Sequence, residues 1–453
     1  MFKWIGLAVI ILLNVIVYFK TIFYKLISDD AIRMKIEPFP IKRTKSVNLL
    51  LHITVASFVF AAFGFSPVSF MAALLFSIHP LAVQVPVWCC ARSYGRNALL
   101  FLTALFYAPF GAVVLFLNKR EILPQILLTP LIFLFTPYWY LAIMVIPLYF
   151  AARKVWYISK KTKTENGIFS SSIPEDFMLH KFRLENLVLA VKTFGYYSLA
   201  CIIPIKNGFY NSFLATLGSS GKQNKYWYSL NRHFWGGLLA MVIIGIIWAF
   251  NIHNYIGMGI LLFVLSIGPF LNFITIQQFT APRYAYLPLI GYQIALVGLI
   301  SKITPVSFPI TLYSAFCLNL IFRIFILGGL FALYLIQLLR VLPHYSTGSL
   351  DLMERDSQIF PDNPRLWYFR YEHALHKNNP ILAWAEAAWG LKHNPDDCQL
   401  YFGLAISTES LGDLKGALTF LTIAEKFMIM TDRQSMKQLI DESKERIKAK
   451  EKK

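Results

Sequence analysis

Acidic residues are scarce in the first three quarters of this 453-residue chain. Residues 1–343 hold 28 Lys and Arg but only eight Asp and Glu, so all of the excess positive charge belongs to this region. From His344 onward, 15 basic residues are balanced by 16 acidic ones. The basic excess favours phosphate-bearing lipids as neighbours. No nucleic-acid partner is expected, because no basic face appears on the part with a soluble composition.

Paired cysteines and metal-ligand spacings are also lacking. The five cysteines are Cys89, Cys90, Cys201, Cys317 and Cys398. They follow neither a disulfide framework nor a zinc pattern. No metal site is predicted, and whether a divalent metal takes part stays open, because two neighbouring aspartates are a thin ligand set.

Apolar residues, in contrast, are abundant. A mean hydropathy of +0.54 with 57% hydrophobic residues is typical of a polytopic membrane protein. The run from Met1 to about Phe23 has no small-residue cleavage site, which indicates an uncleaved membrane anchor. The sequence predicts an all-α protein with about eleven membrane helices. They are expected near residues 4–23, 47–63, 67–86, 97–117, 122–135, 138–150, 187–204, 234–250, 256–274, 286–301 and 307–340.

Loop charges give a first topology. If the N-terminus is cytoplasmic, Asp29 and Asp30 lie on the outer side, and an odd helix count leaves the C-terminal domain on that same side. The segment 151–186 carries seven Lys and Arg and would be cytoplasmic, as the positive-inside rule requires. The loop 20–46 also carries seven but would be outside, where its basic residues could hold an anionic substrate.

Beyond Pro343 the composition becomes soluble and an internal repeat appears. The interval from Trp367 to Tyr401 is the same as the interval from Ala383 to Ala417. The pattern resembles two tetratricopeptide repeats over about 364–431, followed by a charged capping helix to about Lys448. An unrelated helical hairpin bundle is the alternative. The predicted domains are therefore a membrane domain, 1–343, and a helical repeat domain, 344–453, of a kind that binds extended peptides on a concave surface.

Two adjacent aspartates at a membrane boundary invite explanation. Asp29 and Asp30 directly follow the first apolar run, where charge is costly to keep. They are either a solvated pair that ends a helix or a catalytic carboxylate pair.

Three outer-side stretches could lie near the aspartates. In the first, Pro80 after His79 breaks a helix, and Gln84 and the pair Arg92 and Arg96 follow. Arginines four residues apart could hold a phosphate bidentately or could extend to lipid head groups.

The second stretch is the segment 194–211. The third begins at Gln277-Gln278, and in it Arg283 stands beside Tyr284 and shortly before Tyr286, well placed for a phosphate or a sugar ring.

The order of these motifs resembles a known family. The stretches are Asn48-Leu49-Leu50-Leu51-His52, Leu75-Phe76-Ser77-Ile78-His79-Pro80, Gly95-Arg96-Asn97-Ala98-Leu99-Leu100 and Arg283-Tyr284-Ala285-Tyr286-Leu287-Pro288-Leu289-Ile290-Gly291. With the aspartate pair before them and the repeats after them, they are similar to the transmembrane and tetratricopeptide-repeat O-mannosyltransferases and their bacterial relatives. These are multi-pass glycosyltransferases of the GT-C type, and the likeness spans nearly the whole chain.

The resemblance implies a function and a set of roles. The protein would transfer a sugar such as mannose from a polyprenyl-phosphate donor to a protein hydroxyl, at the outer face of a bacterial inner membrane or of the endoplasmic reticulum membrane. Asp29 or Asp30 would be the general base. Arg283, with Arg92 or Arg96, would neutralise the leaving phosphate. No cofactor is implied beyond the lipid-linked donor, and one displacement would invert the sugar.

Several polar positions of the family pattern differ here. A histidine and a glutamate after His-Pro are replaced by Ala82 and Gln84, and Pro282 stands where a glutamate commonly precedes the arginine. Such losses suit a branch with another substrate. They also suit a non-catalytic scaffold that uses its repeats to bind a partner protein. A transporter is a third reading, but the chain shows no inverted repeat.

Overall fold

The computed structural model of this protein describes most of the chain. The described residues are 2–27, 30, 40–106, 185–204, 208, 229–252, 254–273, 280–302, 312–347, 349–361, 363–428 and 433–451. Within them every regular element is helical and no strand occurs. The predicted all-α class is therefore confirmed for this part of the chain. Asp29, Gln277, Gln278 and the segment 107–184 lie outside the described residues.

The part before Pro343 consists of long apolar helices and short 3₁₀ turns. The α-helices are α1 (Phe2–Tyr18), α2 (Ile41–Ala62), α3 (Pro67–Ile78), α4 (Gln84–Val87), α5 (Arg92–Phe106), α6 (Glu185–Ala200), α7 (Arg232–Ala249), α8 (Tyr255–Ile267), α9 (Tyr286–Lys302) and α10 (Leu312–Val341). The 3₁₀ turns are Phe19–Phe23, Pro80–Ala82, Cys89–Ala91, Gly268–Phe270 and Pro282–Ala285.

Shorter, more polar helices follow. They are α11 (His344–Thr347), α12 (Ser349–Ile359), α13 (Pro364–His376), α14 (Pro380–His393), α15 (Cys398–Ser410), α16 (Leu414–Lys426) and α17 (Arg433–Glu451).

Five helices in the described residues are long and apolar enough to cross a membrane. They are Phe2–Phe23, Ile41–Ala62, Arg232–Ala249, Pro282–Lys302 and Leu320–Ser346. A sixth span arises if α3 and the segment Pro80–Val87, which meet at a bend of 58°, are counted together. The protein therefore has the helices of a membrane protein. The predicted spans 122–135 and 138–150 lie outside the described residues, and the total of eleven stays a prediction.

Local sequence explains where α3 begins and where it ends. Ser66 and Ser69 form a reciprocal capping box at the start of α3, and Pro67 occupies the first helical position. At the far end His79 adopts an extended backbone, with φ −69° and ψ 129°, because a residue before proline avoids the helical region. The chain then restarts as a 3₁₀ turn at Pro80, which produces the bend.

The helices after Pro343 recur at a constant interval. The helices α13 and α15 begin at 364 and 398, and α14 and α16 begin at 380 and 414. Trp367 and Tyr401 are each the fourth residue of their helix, as are Ala383 and Ala417 of theirs. Both alanines are completely buried. Successive hairpins therefore place equivalent residues at equivalent positions.

The turn inside each hairpin repeats as well. Asn378 and Gly412, which are separated by the same interval as the helix starts, both have positive φ, of 55° and 92°. Asn379 and Asp413 follow them, and each side chain accepts a hydrogen bond from the backbone three residues later, at the start of the second helix. Asparagine and glycine are the residues that tolerate this left-handed conformation best.

The repeat region is packed against the membrane part through α12. Leu352 is completely buried in the same apolar cluster as Tyr345 and the membrane helices. Phe360 and Asp356 lie so close to Gly208 that an added Cβ there would come within 2.7 Å of both side chains. Phe360 also packs with Leu366 of α13. The predicted domain boundary at 343 is therefore crossed by continuous packing.

Candidate functional site

Asp30 is completely buried at the start of the 3₁₀ turn Cys89–Ala91. Its Oδ2 accepts a hydrogen bond from the Cys89 amide at 3.2 Å, and its Oδ1 accepts one from the Cys90 amide at 3.0 Å. The first amides of a helical turn have no partner within the turn, and a carboxylate satisfies them well. Both oxygens of Asp30 therefore hold the chain's own backbone.

Burial also changes the proton affinity of this group. Removal from water raises the pKa of Asp30, and the hydrogen bonds from Cys90 and Cys89 oppose that rise. The neighbouring thiol responds in the same direction: burial, together with the Asp30 charge, raises the pKa of Cys89 to about 12. Cys89 is therefore a protonated, unreactive thiol at neutral pH.

Lys45 of α2 is a second buried charged group beside this carboxylate. Its Nζ donates to the Tyr24 carbonyl at 2.7 Å and to the Lys25 carbonyl at 3.0 Å. It is near enough to Asp30 for the two charges to interact. Through these bonds Lys45 holds Tyr24 and Lys25, which follow the first span, against α2.

The charge counts alone did not single out Lys45. It is one of the seven basic residues of the loop 20–46 that could have held a substrate. Its position could have distinguished Lys45 from the other basic residues of the loop, because it comes three residues before Asn48, within the apolar α2.

Arg283 lies in an aromatic enclosure at the start of the helical segment Pro282–Lys302. Its guanidinium carbon is 5.0 Å from the centroid of the Trp88 ring and 5.0 Å from that of Tyr284. It also hydrogen-bonds the Tyr94 side chain. Tyr284 is in turn stacked on Phe270, with ring centroids 4.6 Å apart. The arginine is therefore held by rings on several sides.

Arg92 is linked to Trp88 through the side chain of Asn48. The Arg92 Nε donates to Asn48 Oδ1 at 3.3 Å, and the Asn48 amide donates to the Trp88 carbonyl at 2.9 Å. Arg96 is one turn further along α5 and half-buried. Among the described residues its Nε has no hydrogen-bond partner.

These contacts bring several predicted residues together. Asp30, Arg283 and Arg92 all contact the three residues Trp88–Cys90, directly or through one side chain. They come from separate stretches of the sequence. We refer to Asp30, Lys45, Asn48, Trp88, Arg92 and Arg283 as the Trp88 cluster.

His79 occupies a structural position outside the Trp88 cluster. Its Nδ1 accepts the Leu81 amide hydrogen at 3.2 Å, so its Nε2 carries the proton and donates to the Cys201 carbonyl at 3.2 Å. Tyr334 donates to that same carbonyl at 2.9 Å. His79 is completely buried, and both ring nitrogens are occupied. It therefore joins the bend between α3 and α4 to the end of α6.

Gln84, which was predicted to lie near the aspartates, and Tyr286, which was predicted beside the donor phosphate, are both completely buried. Gln84 hydrogen-bonds the Tyr345 side chain. The Tyr286 hydroxyl pairs with His52 Nδ1 at 2.8 Å, and His52 Nε2 bonds the Ser77 carbonyl at 3.2 Å. Both residues therefore contribute polar contacts between helices.

Two further features concern possible ligand sites. Among the described residues, no group of three His, Cys, Asp or Glu could hold a metal ion. A small apolar groove of about 70 Å³ lies between α7, α8 and α9, and no member of the Trp88 cluster lines it. Its lining residues are Ile244, Ile247, Ile256, Ile260, Phe263, Tyr292, Ala295, Leu296 and Leu299.

Comparison with protein-family models, with curated proteins and with solved structures finds no match to this chain.

Proposed function

We propose that this protein is an integral-membrane glycosyltransferase that moves a sugar from a polyprenyl-phosphate donor to a hydroxyl group of a polypeptide on the outer side of the membrane. The single observation that supports it best is the Trp88 cluster. The Asp30 carboxylate, Arg283 and, through Asn48, Arg92 all contact the segment Trp88–Cys90, and Asp30, Asn48 and Arg283 belong to the stretches that resemble the O-mannosyltransferases.

The two aspartates have unequal roles in this proposal. Asp30 already uses both oxygens to hold the Cys89 and Cys90 amides. A general base needs a free oxygen within reach of the proton that it removes. Asp30 is therefore the anchor of the segment, and its neighbour Asp29 is the base. In the reaction, Asp29 takes the proton of the acceptor hydroxyl, the acceptor oxygen bonds to the anomeric carbon, and the donor phosphate leaves with its lipid.

Arg283 is the group proposed for the leaving phosphate. The Trp88 and Tyr284 rings hold its guanidinium in place. Preorganised cations of this kind stabilise the charge that develops on a leaving group. Arg92 and Arg96 supply further positive charge on α5. Tyr284 shapes the arginine site, and Tyr286, His79 and Gln84 hold the helices around it.

The repeat region is proposed to be two tetratricopeptide-like repeats, capped by α17, on the same outer side. The common interval in helix starts, turn conformations and caps supports this. Repeats of this kind bind extended polypeptide. Their place in the proposed function is to present the acceptor chain.

A non-catalytic scaffold is the second candidate, and a specific observation favours it. His79 has both ring nitrogens occupied by the chain itself, and Asp30 has both carboxylate oxygens occupied. In a scaffold these polar groups would serve the fold alone, and the repeats would hold the partner.

A transfer assay distinguishes the two candidates. Purified protein in lipid nanodiscs is given dolichyl- or undecaprenyl-phosphate mannose and a mixture of Ser- and Thr-containing peptides, and product is measured by mass spectrometry. Transfer that requires Arg283 supports the enzyme. Stable binding of a peptide by the repeats, with no transfer from any donor, supports the scaffold.

A further inference from the structure

The helix α14 has an unusual division of its two faces. It buries its small residues, Ala383, Ala387 and Gly390, against the neighbouring helices. Gly390 is so close to Trp367 that an added Cβ would lie 2.7 Å from that side chain. The large apolar residues of α14 point outward instead. Amphipathic helices normally do the reverse, with large apolar residues toward the core.

The outward face of α14 is apolar over much of its length. Ile381 is 70% exposed, Trp389 54%, Leu382 45% and Trp384 41%. Together these are four of the six large hydrophobic residues that are exposed in the described part of the chain beyond Pro343, the others being Leu411 and Leu439. A cluster of this kind on one helix marks a surface that something covers.

Charge indicates what covers it. Glu386 is the only acidic residue of α14, and it forms a salt bridge with Arg370, with Nη2 of the arginine 2.6 Å from Oε1 of the glutamate. Lys392 is exposed, with its Nζ 4.8 Å from the centroid of the Trp389 ring. Tryptophan, aliphatic residues and an exposed lysine on one face are the composition of helices that lie in the membrane interface. The lysine suits lipid phosphate groups.

The position of α14 in the chain supports the same occupant. The apolar span Leu320–Ser346 ends shortly before the repeat region begins, and α12 between them packs on the membrane part. The hairpin then turns back, so that Asn394, directly after α14, donates to the Pro361 carbonyl at 3.3 Å. Packed helices lie about 8–10 Å apart. The end of α14 that carries Trp389 and Lys392 therefore lies beside the end of α12, and α12 buries Leu352 against the membrane part.

We propose that the outward face of α14, formed by Ile381, Leu382, Trp384, Trp389 and Lys392, docks on the bilayer surface. Its apolar residues enter the boundary between head groups and acyl chains, and Lys392 contacts lipid phosphate. This contact fixes the orientation of the repeat region relative to the membrane. It holds whether the protein is a transferase or a scaffold.

Photolabelling by lipid tests the contact directly. The full chain is reconstituted in phosphatidylcholine nanodiscs that contain a phospholipid with a photoreactive diazirine near its head group, and adducts are mapped by mass spectrometry. We expect strong labelling of the peptide that covers 380–393. The peptide around Leu439 of α17, which is 47% exposed, is the internal reference and should be labelled several-fold less. Equal labelling of both peptides at background would overturn the proposal.

Two variants sharpen the result. Ile381→Ser with Trp389→Ser removes apolar surface from an exposed face and should lower the labelling of α14, with helix content unchanged by circular dichroism. When anionic phosphatidylglycerol is added to the nanodiscs, the labelling of α14 in the wild type should increase. Lys392→Glu should abolish that increase. If α14 is instead crosslinked to a second copy of the chain and takes up no lipid, the face is a dimer interface and the proposal is wrong.

Discussion

The guanidinium carbon of Arg283 lies 5.0 Å from the centroid of the Trp88 ring, one residue before the amide that donates to Asp30. A cation and an anion that are far apart in sequence are thus held by adjacent residues of one short turn. In the chain, this turn follows the His79–Pro80 break and the short helix α4.

Removal of the Arg283 charge should impair transfer far more than it impairs folding. We expect Arg283→Gln to reduce transfer by about 10²–10³-fold, the usual cost of losing a group that stabilises a developing charge. Arg283→Lys keeps the charge but loses the planar contact with the rings, so it should fall between wild type and Gln. Arg340→Gln, at an exposed arginine of α10, is the control and should transfer normally. Wild-type rates in Arg283→Gln would remove this arginine from the phosphate site.

Truncation of the Asp30 side chain should destabilise the membrane part. Asp30→Ala leaves the Cys89 and Cys90 amides without their acceptor, at a cost of roughly 1–3 kcal/mol for unsatisfied groups. Asp30→Asn keeps one acceptor oxygen and should lose less. We expect the melting temperature in detergent to fall in the order wild type, Asp30→Asn, Asp30→Ala. Equal melting temperatures would show that the carboxylate does not hold the turn.

The effects of substitutions at Lys45 and Asp30 on the stability of the protein should not be additive. Because the two buried charges interact, removing both should cost less than the sum of the single changes. Lys45→Met keeps the length of the side chain and removes its charge. We expect a coupling of about 0.5–3 kcal/mol between Lys45→Met and Asp30→Ala. Strictly additive effects would contradict a shared role.

The repeat register predicts which alanine cannot be enlarged. Ala417 is completely buried where α16 packs on its neighbours, so Ala417→Trp should destabilise the repeat region by about 1–3 kcal/mol or more through overpacking. Thr419→Trp, two residues away on the exposed face, is the matched control. Hydrogen exchange over residues 398–451 of the full chain measures both. Protection that is equal in the two variants would refute the register.

The repeat region should also lose stability at acidic pH, because Glu409 becomes protonated. This carboxylate is 8% exposed and is bound by Arg446 at 3.0 and 2.7 Å and by Lys450 at 2.8 Å. The bond to Arg446 is the main cause that lowers its pKa below the usual 4.5. A lowered pKa gives stability that is present above pH 4.5 and is lost as the pH falls through the folded value.

Hydrogen exchange of α15 and α17 at several pH values between 7 and 3 tests this. Glu409→Gln should remove much of the pH dependence in that range, and Glu445→Gln, at an exposed position of α17, should not. The same profile in Glu409→Gln and wild type would show that the Arg446 pair does not stabilise the domain.

Patterns with a regular period were the easiest to predict from sequence. Apolar runs give long helices directly, and the interval between Trp367 and Tyr401 gives equivalent places in successive hairpins. The prediction placed the break at His79–Pro80 for a local reason, the restriction that proline imposes on the residue before it.

Long-range partners could not be predicted in the same way. Nothing in the local sequence of Asp30 indicates that two amides 59 and 60 residues later occupy its oxygens. Likewise, Tyr286 stands three residues after Arg283, yet its hydroxyl pairs with His52 on α2. Which polar groups remain available for chemistry depends on this packing.

The transfer activities of the two aspartate variants test the proposed mechanism most directly. Sugar transfer from a polyprenyl-phosphate donor to a peptide acceptor is measured for wild type, Asp29→Asn and Asp30→Asn, with protein amount and melting temperature recorded for each. We predict that Asp29→Asn lowers transfer by about 10²–10⁴-fold while the protein stays folded, since general-base catalysis contributes that much. Asp30→Asn should chiefly lower the melting temperature, with a smaller loss of transfer. Wild-type transfer with Asp29→Asn unimpaired, or no transfer by the wild type with any donor, would contradict the assignment.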